Sequence, residues 1–301
     1  MQPACLERML VPRFSMEAVF DISRMRRLFY FALGVCAGMF HLCADTNEVA
    51  PGVLQIGTIQ DPAIVESSGL IPGKAARGLY WTHNDSGLDV LYAMTATGAD
   101  ASEYKITDVE IEDWEDIAFA GGRIYIADIG NNTGARGHVD VYAVREPKPP
   151  RSGDLRPTRH WRLNYPDNPF DAESFVVSRG YGYVISKELE GGEASVYRFR
   201  LGGKSEVTLE QQCRLNVDAP PAGADLTADG KRLAVITREG AYLFEFPRRI
   251  PAEGKVEPTH FTPFLHEQME GCSFTRDGLL VTSESREIYL FTDSAFRLNG
   301  K

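Results

Sequence analysis

Cysteine, histidine, basic charge and long apolar runs are all scarce in this chain of 301 residues, and each shortage excludes something. The five cysteines form no C-x-x-C pair, and no H-E-x-x-H, G-x-S-x-G, Walker loop or dinucleotide glycine run occurs. His266-Glu267-Gln268-Met269-Glu270 ends in glutamate, so it is not a zincin helix. Lysine and arginine number 32 against 42 aspartates and glutamates, a net charge of −10. Such a surface argues against nucleic acid and anionic membranes as partners, because phosphate groups demand basic patches. Past residue 50 no stretch has capped, amphipathic helical periodicity.

The one marked apolar run, Leu28 to Phe40, is too short to span a bilayer comfortably. It follows the basic Met25-Arg26-Arg27 and precedes Leu42-Cys43-Ala44, an acceptable cleavage site. Residues 1–44 are therefore expected to be a cleaved targeting segment, with Met25 as a candidate start, and residues 45–301 the exported domain. Neither Cys36 nor Cys43 follows the small residue that a lipid-anchor site requires. Cleavage leaves 27 basic and 39 acidic residues, a balance of −12, and two cysteines, Cys213 and Cys272. Those two fall on strands of different repeats, so buried free thiols are expected.

What the chain does have is a repeat. Glu66, Glu115, Glu173, Asp225 and Glu270 each open a similar unit, at intervals of 45 to 58 residues. An apolar stretch follows each acid, then a tight turn such as Gly121-Gly122, Asp229-Gly230 or Asp277-Gly278. A second apolar run comes next, and a third carries Tyr92, Tyr142, Tyr197, Tyr242 or Tyr289. Glycine turns between β-branched and aromatic runs signal hairpins. Four short strands per unit is the arithmetic of a propeller blade. The fifth unit lacks its last strand, and Val53 to Ile59 is free to supply it. The expected fold is an all-β, single five-bladed β-propeller over residues 53–295, closed by its N-terminal strand. A six-bladed ring is the alternative and would require a blade without the motif.

In such a blade the first strand starts, and the second ends, at one face of the ring. The five acids therefore converge there with His83, Asn84, Asp85, Asp128, Asn131, Lys187, Arg238, Glu284 and Arg286. Acids crowded on a narrow axis raise one another's pKa or recruit a cation. An all-oxygen set suits a hard cation, calcium first. The alternative is that the acids accept hydrogen bonds from neighbouring blades. The cations likewise either pair with those acids or hold a small anionic ligand. His83 and Asp85 are the candidate catalytic pair, His83 as general base.

The segments E-S-S-G-L, D-W-E-D-I-A, D-I-G-N-N, D-A-E-S-F and E-G-C-S-F resemble those of secreted bacterial β-propellers. The groups concerned are the phytase-like and gluconolactonase/paraoxonase types, and the resemblance covers about residues 53–295. It implies calcium in the channel, with Glu66, Glu115, Glu173 and Glu270 as inner-strand acids and Asp225 as a shortened version. It also implies hydrolysis of esters, lactones or phosphoesters at the channel mouth. Those groups usually have six blades, whereas five are counted here. The competing expectation is a non-catalytic module, monomeric like the hydrolase, that holds a glycan or protein at the same face.

Overall fold

The computed structural model describes residues 47–296, apart from 76, 149–151 and 191. The targeting segment expected over residues 1–44 lies outside the described residues. No described helix is long and apolar enough to cross a membrane. Every described regular element is a strand, and the strands form five antiparallel-cored sheets in chain order.

From the inside outward, blade one is Ser67–Pro72, Leu79–Asn84, Val90–Thr95 and Asp100–Ile106. Blade two is Trp114–Ala120, Arg123–Asp128, His138–Arg145 and Arg159–Asn164. Blade three is Ala172–Ser178, Tyr181–Leu189, Glu193–Arg200 and Glu210–Asn216. Blade four is Pro221–Leu226, Arg232–Thr237, Gly240–Glu245 and His260–Pro263. Blade five is Met269–Phe274, Gly278–Ser283 and Glu287–Thr292, completed by Val53–Thr58 from the other end of the chain. The five inner strands pack side by side into a closed ring. The fold is thus the expected five-bladed propeller, with its expected closure.

Hairpin chemistry and burial explain the local pattern. Gly121 and Gly122 both have positive φ, 58° and 75°, as a two-residue turn between twisted strands requires. The second strands read as unbroken apolar runs because each blade is covered on both faces. Leu279 and Val281 pack between blades four and five, while Leu280 faces blade one. Ile124 and Ile126 face blade one in the same way, and Tyr125 and Ala127 face blade three. The core is therefore five separate layers, one between each pair of blades. Cys213 and Cys272 are buried free thiols in two of them.

The periphery differs from expectation. Blades one, two and three each carry a fifth strand, Gly153–Leu155, Glu206–Thr208 and Lys255–Val256, parallel to the fourth. Asn47–Ala50 adds an antiparallel one to blade five. Glu206–Thr208 joins blade two and Glu210–Asn216 joins blade three, so one nearly continuous stretch serves two blades. These additions cover edges that would otherwise expose unpaired backbone groups.

Candidate functional site

Each inner strand carries a register irregularity near its start. One residue is left unpaired there, and the neighbours re-aim. The residues skipped are Gly69, Glu115, Glu173, Ala222 and Glu270. Glu115, Glu173 and Glu270 therefore hold equivalent places at one mouth of the channel.

Just outside the irregularities, a second level repeats. The carbonyls of Glu66, Asp113, Asp171 and Gln268 accept the N–H groups of Asp85, Gly130, Lys187 and Glu284, respectively. Glu66 consequently belongs with Asp113 and Asp171, and not with the three glutamates. Its carboxylate accepts a 2.5 Å hydrogen bond from the Ser86 hydroxyl and adds its charge beside Asp85.

One oxygen from each of Asp85, Asp113 and Glu115 lies within 4.8 Å of the others. Burial, then the charges of Asp113, Glu66 and Glu284, push Asp85 up to about 6, against a hydrogen bond with Glu115. Glu115 is pushed up to about 11 by burial, then by Asp85, Glu173, Asp113 and Asp171. Glu270 rises to about 9 by burial, with Glu173, Glu284 and Asp85 adding to it. Glu173 stops at about 7, because burial is opposed by the hydrogen bond and charge of Lys187. Lys187 is ion-paired with Glu173 and lies 3.8 Å from Asp171. Lys187 offsets only part of this repulsion, so Glu115 and Glu270 stay protonated at neutral pH while no cation is bound.

Two observations bear on whether a cation fits. The buried Asp85 Oδ1 has no hydrogen-bond partner. Residue 130 is glycine, and a Cβ there would lie 2.2 Å from Glu115 Oε1 and 2.4 Å from Asp113 Oδ2. Glycine thus lets the two carboxylates close together against the backbone. The donors are all oxygen, and three carboxylates plus water can meet calcium's demand for six to eight ligands. The residues fit calcium.

Several expected members stand elsewhere. His83 is fully buried, stacked on Trp114 at 4.1 Å, with Nδ1 2.9 Å from the Asn84 carbonyl. Burial pushes its pKa down to about 3, so it is a neutral packing group behind the mouth. Asn84 braces the backbone: its Oδ1 accepts from Val65 and Glu66, and its Nδ2 donates to Ala63. Asp128 is buried and holds the Arg136 guanidinium at 2.9 Å and the Asp113 N–H. Asn131 is occupied by Arg136 and the Tyr165 hydroxyl. Arg286 donates to the carbonyls of Ile59 and Asp61, clasping the ring closure.

Asp225 departs furthest. It lies near the far end of its strand, where its oxygens accept the N–H groups of Leu226 at 2.8 Å and Phe274 at 2.7 Å. It bridges blades four and five, as Asp116 bridges blades two and three through Ile117 and Phe175. Both are the backbone acceptors that an inner-strand acid can become. At its irregularity blade four thus carries Ala222 in place of an acid, and the turn after its second strand is Arg238-Glu239. Arg238 follows Thr237, paired with Pro221, as Lys187 and Glu284 follow Ser186 and Ser283. It is exposed and joins no ion pair among the described residues. Asp113 and Asp171 were missed by taking a single acid from each repeat. The repeated D-x-E of Asp113-Trp114-Glu115 and Asp171-Ala172-Glu173 carried the signal.

No protein-family model and no curated protein sequence matches the chain. Solved structures similar to it include one from the nidogen/laminin complex, at 15% identity and a TM-score of 0.46, covering 74% of this chain and 73% of that one. Virginiamycin B lyase from Staphylococcus aureus is 10% identical at 0.40, covering 79% of this chain and 69% of its own. A luciferin-regenerating enzyme is 11% identical at 0.43, covering 80% and 94%. Likenesses this distant say nothing of what this chain binds or does.

Proposed function

We propose that the protein is an exported, calcium-dependent hydrolase of small anionic esters or phosphoesters, akin to the phytase-like and gluconolactonase/paraoxonase-type propellers. The observation that carries this reading is the Asp85, Asp113 and Glu115 cluster, with an orphaned oxygen and a glycine that lets two of its carboxylates close together. Asp85, Asp113 and Glu115 would hold the cation. Glu173 and Glu270 would add charge from the next positions around the ring. A bound calcium ion would supply Lewis acidity toward an ester or phosphoryl oxygen.

The chain's own residues account for the rest. Glu173, outside the Asp85, Asp113 and Glu115 cluster and held at about 7, takes the proton of an attacking water in place of the buried His83. Arg238 stands in the sector whose inner strand has no acid at its irregularity, and it is the group that meets the substrate's anion. Its planar fork suits phosphate and carboxylate alike. Lys187, tied to Glu173, tunes that acid more than it binds substrate.

The test is a panel of chromogenic phosphate, carboxylate-ester and lactone substrates, run with calcium and with chelator. Turnover in calcium is expected to fall at least tenfold in Arg238→Ala and to vanish in Asp85→Asn. A calcium-independent melting temperature and no turnover on any substrate would reject the reading. Export is checked by the mass of periplasmic or secreted material, expected to begin near Asp45.

A further inference from the structure

The channel has a second mouth, chemically opposite to the first. Pro72, Ala120, Ser178, Leu226 and Phe274 are the last residues of the five inner strands, and all five line one cavity of about 630 Å³. That volume is within the range of small-molecule sites, about 300–1,000 Å³. The cavity lies on the ring axis, at the end remote from Glu115, Glu173 and Glu270.

Its walls are mainly apolar, with Phe119 and Tyr125 adding aromatic surface to Phe274. Its charged lining is Lys74, Arg179 and Asp225. Asp225 has both oxygens occupied by backbone N–H groups, so it offers an incoming ligand little. Lys74 and Arg179 are exposed and form no ion pair among the described residues. Arg179 donates to the Asp229 carbonyl and Lys74 acts on the Asp225 charge, but neither is closed into an ion pair. Two such cations beside an apolar hollow are complementary to one kind of molecule. A carboxylate held there beside low-dielectric walls is attracted more strongly than in open water.

We propose that this second mouth binds an amphipathic monoanion, with an aromatic or branched aliphatic body in the cavity and a single carboxylate at Lys74 and Arg179. The site is independent of the acidic mouth, and a ligand there touches none of the hydrolase residues.

The probe is 1-naphthoate, titrated into the full chain by calorimetry, with 1-naphthalenemethanol as its uncharged counterpart. One saturable site is expected, with the alcohol bound at least tenfold more weakly. Lys74→Glu and Arg179→Glu should each weaken naphthoate at least tenfold, and Ala120→Trp should abolish binding by filling the hollow. Glu115→Gln should leave the affinity unchanged, which separates this site from the other mouth. Absence of saturable binding would overturn the proposal. So would equal binding of acid and alcohol, or indifference to both charge reversals, since either makes the cavity a mere apolar depression.

Discussion

Glu115 shows how one side chain can be tuned by its company. Its carboxyl is pushed up to about 11 without a cation, so it is protonated at neutral pH and already resembles an amide. Glu115→Gln should therefore keep the calcium-free melting temperature within about 1 kcal/mol equivalent of the parent, a small change for a point mutation. On the proposed function calcium should raise the parent's melting temperature, and this variant should erase that rise. That rise corresponds to about 2.7 kcal/mol at a hundredfold excess over Kd. Differential scanning calorimetry with calcium and with chelator reads both. Asp85 and Glu173 predict a pH dependence of fixed sign. Their folded pKa values, about 6 and about 7, lie above the ordinary 3.8 and 4.5. The folded protein thus binds protons more tightly than the unfolded chain. The stability concerned is full below about pH 4 and is lost as pH rises to about 7. In chelator, the urea midpoint should fall between pH 4.5 and 7.5. Calcium should reverse that fall, since it selects the ionised form.

At the level of single strands, the inner-strand aspartates are the members most sensitive to change. Asp116 accepts from Ile117 in its own strand and from Phe175 in the next blade, at 2.8 and 2.7 Å. Asp116→Ala would leave two buried N–H groups unsatisfied, at about 1–3 kcal/mol each. A loss of about 2–6 kcal/mol in urea denaturation is expected, and Asp225→Ala, whose two N–H donors are only part-buried, should cost less. The sequence made the strands legible through their tyrosines and glycine turns, but it did not make the register legible. Glu115, Glu173 and Glu270 were aligned correctly because each sits at the same irregularity. Glu66 and Asp225 were aligned with them by type and spacing alone. Blade one carries Gly69 at the equivalent position, and blade four carries Ala222. A shift of a few residues moves an acid from the mouth to the backbone of a neighbouring blade. The fifth strands, two to four residues each, were invisible because backbone pairing, not side-chain pattern, decides them.

On the scale of the whole ring, integrity depends on one seam. Val53–Thr58 pairs with Glu287–Thr292, and Arg286 locks the seam through the carbonyls of Ile59 and Asp61. Arg286→Ala should cost about 1.5–3 kcal/mol for the lost charged hydrogen bonds. Arg286→Lys should recover little, because an ammonium lacks the fork that reaches both carbonyls. Urea midpoints of the two variants, compared with the parent, decide it. The seam also sets a timetable. Thr292 hydrogen-bonds to Gly52, a partner 240 residues earlier in the chain. At about 5–20 residues per second, the ribosome needs roughly 12 to 48 s to travel between them. For that interval the apolar strand beginning at Val53 has emerged and its partner does not exist. Whatever holds the nascent chain then, a chaperone or an unfolded-state export route, must keep that strand from pairing with the wrong edge.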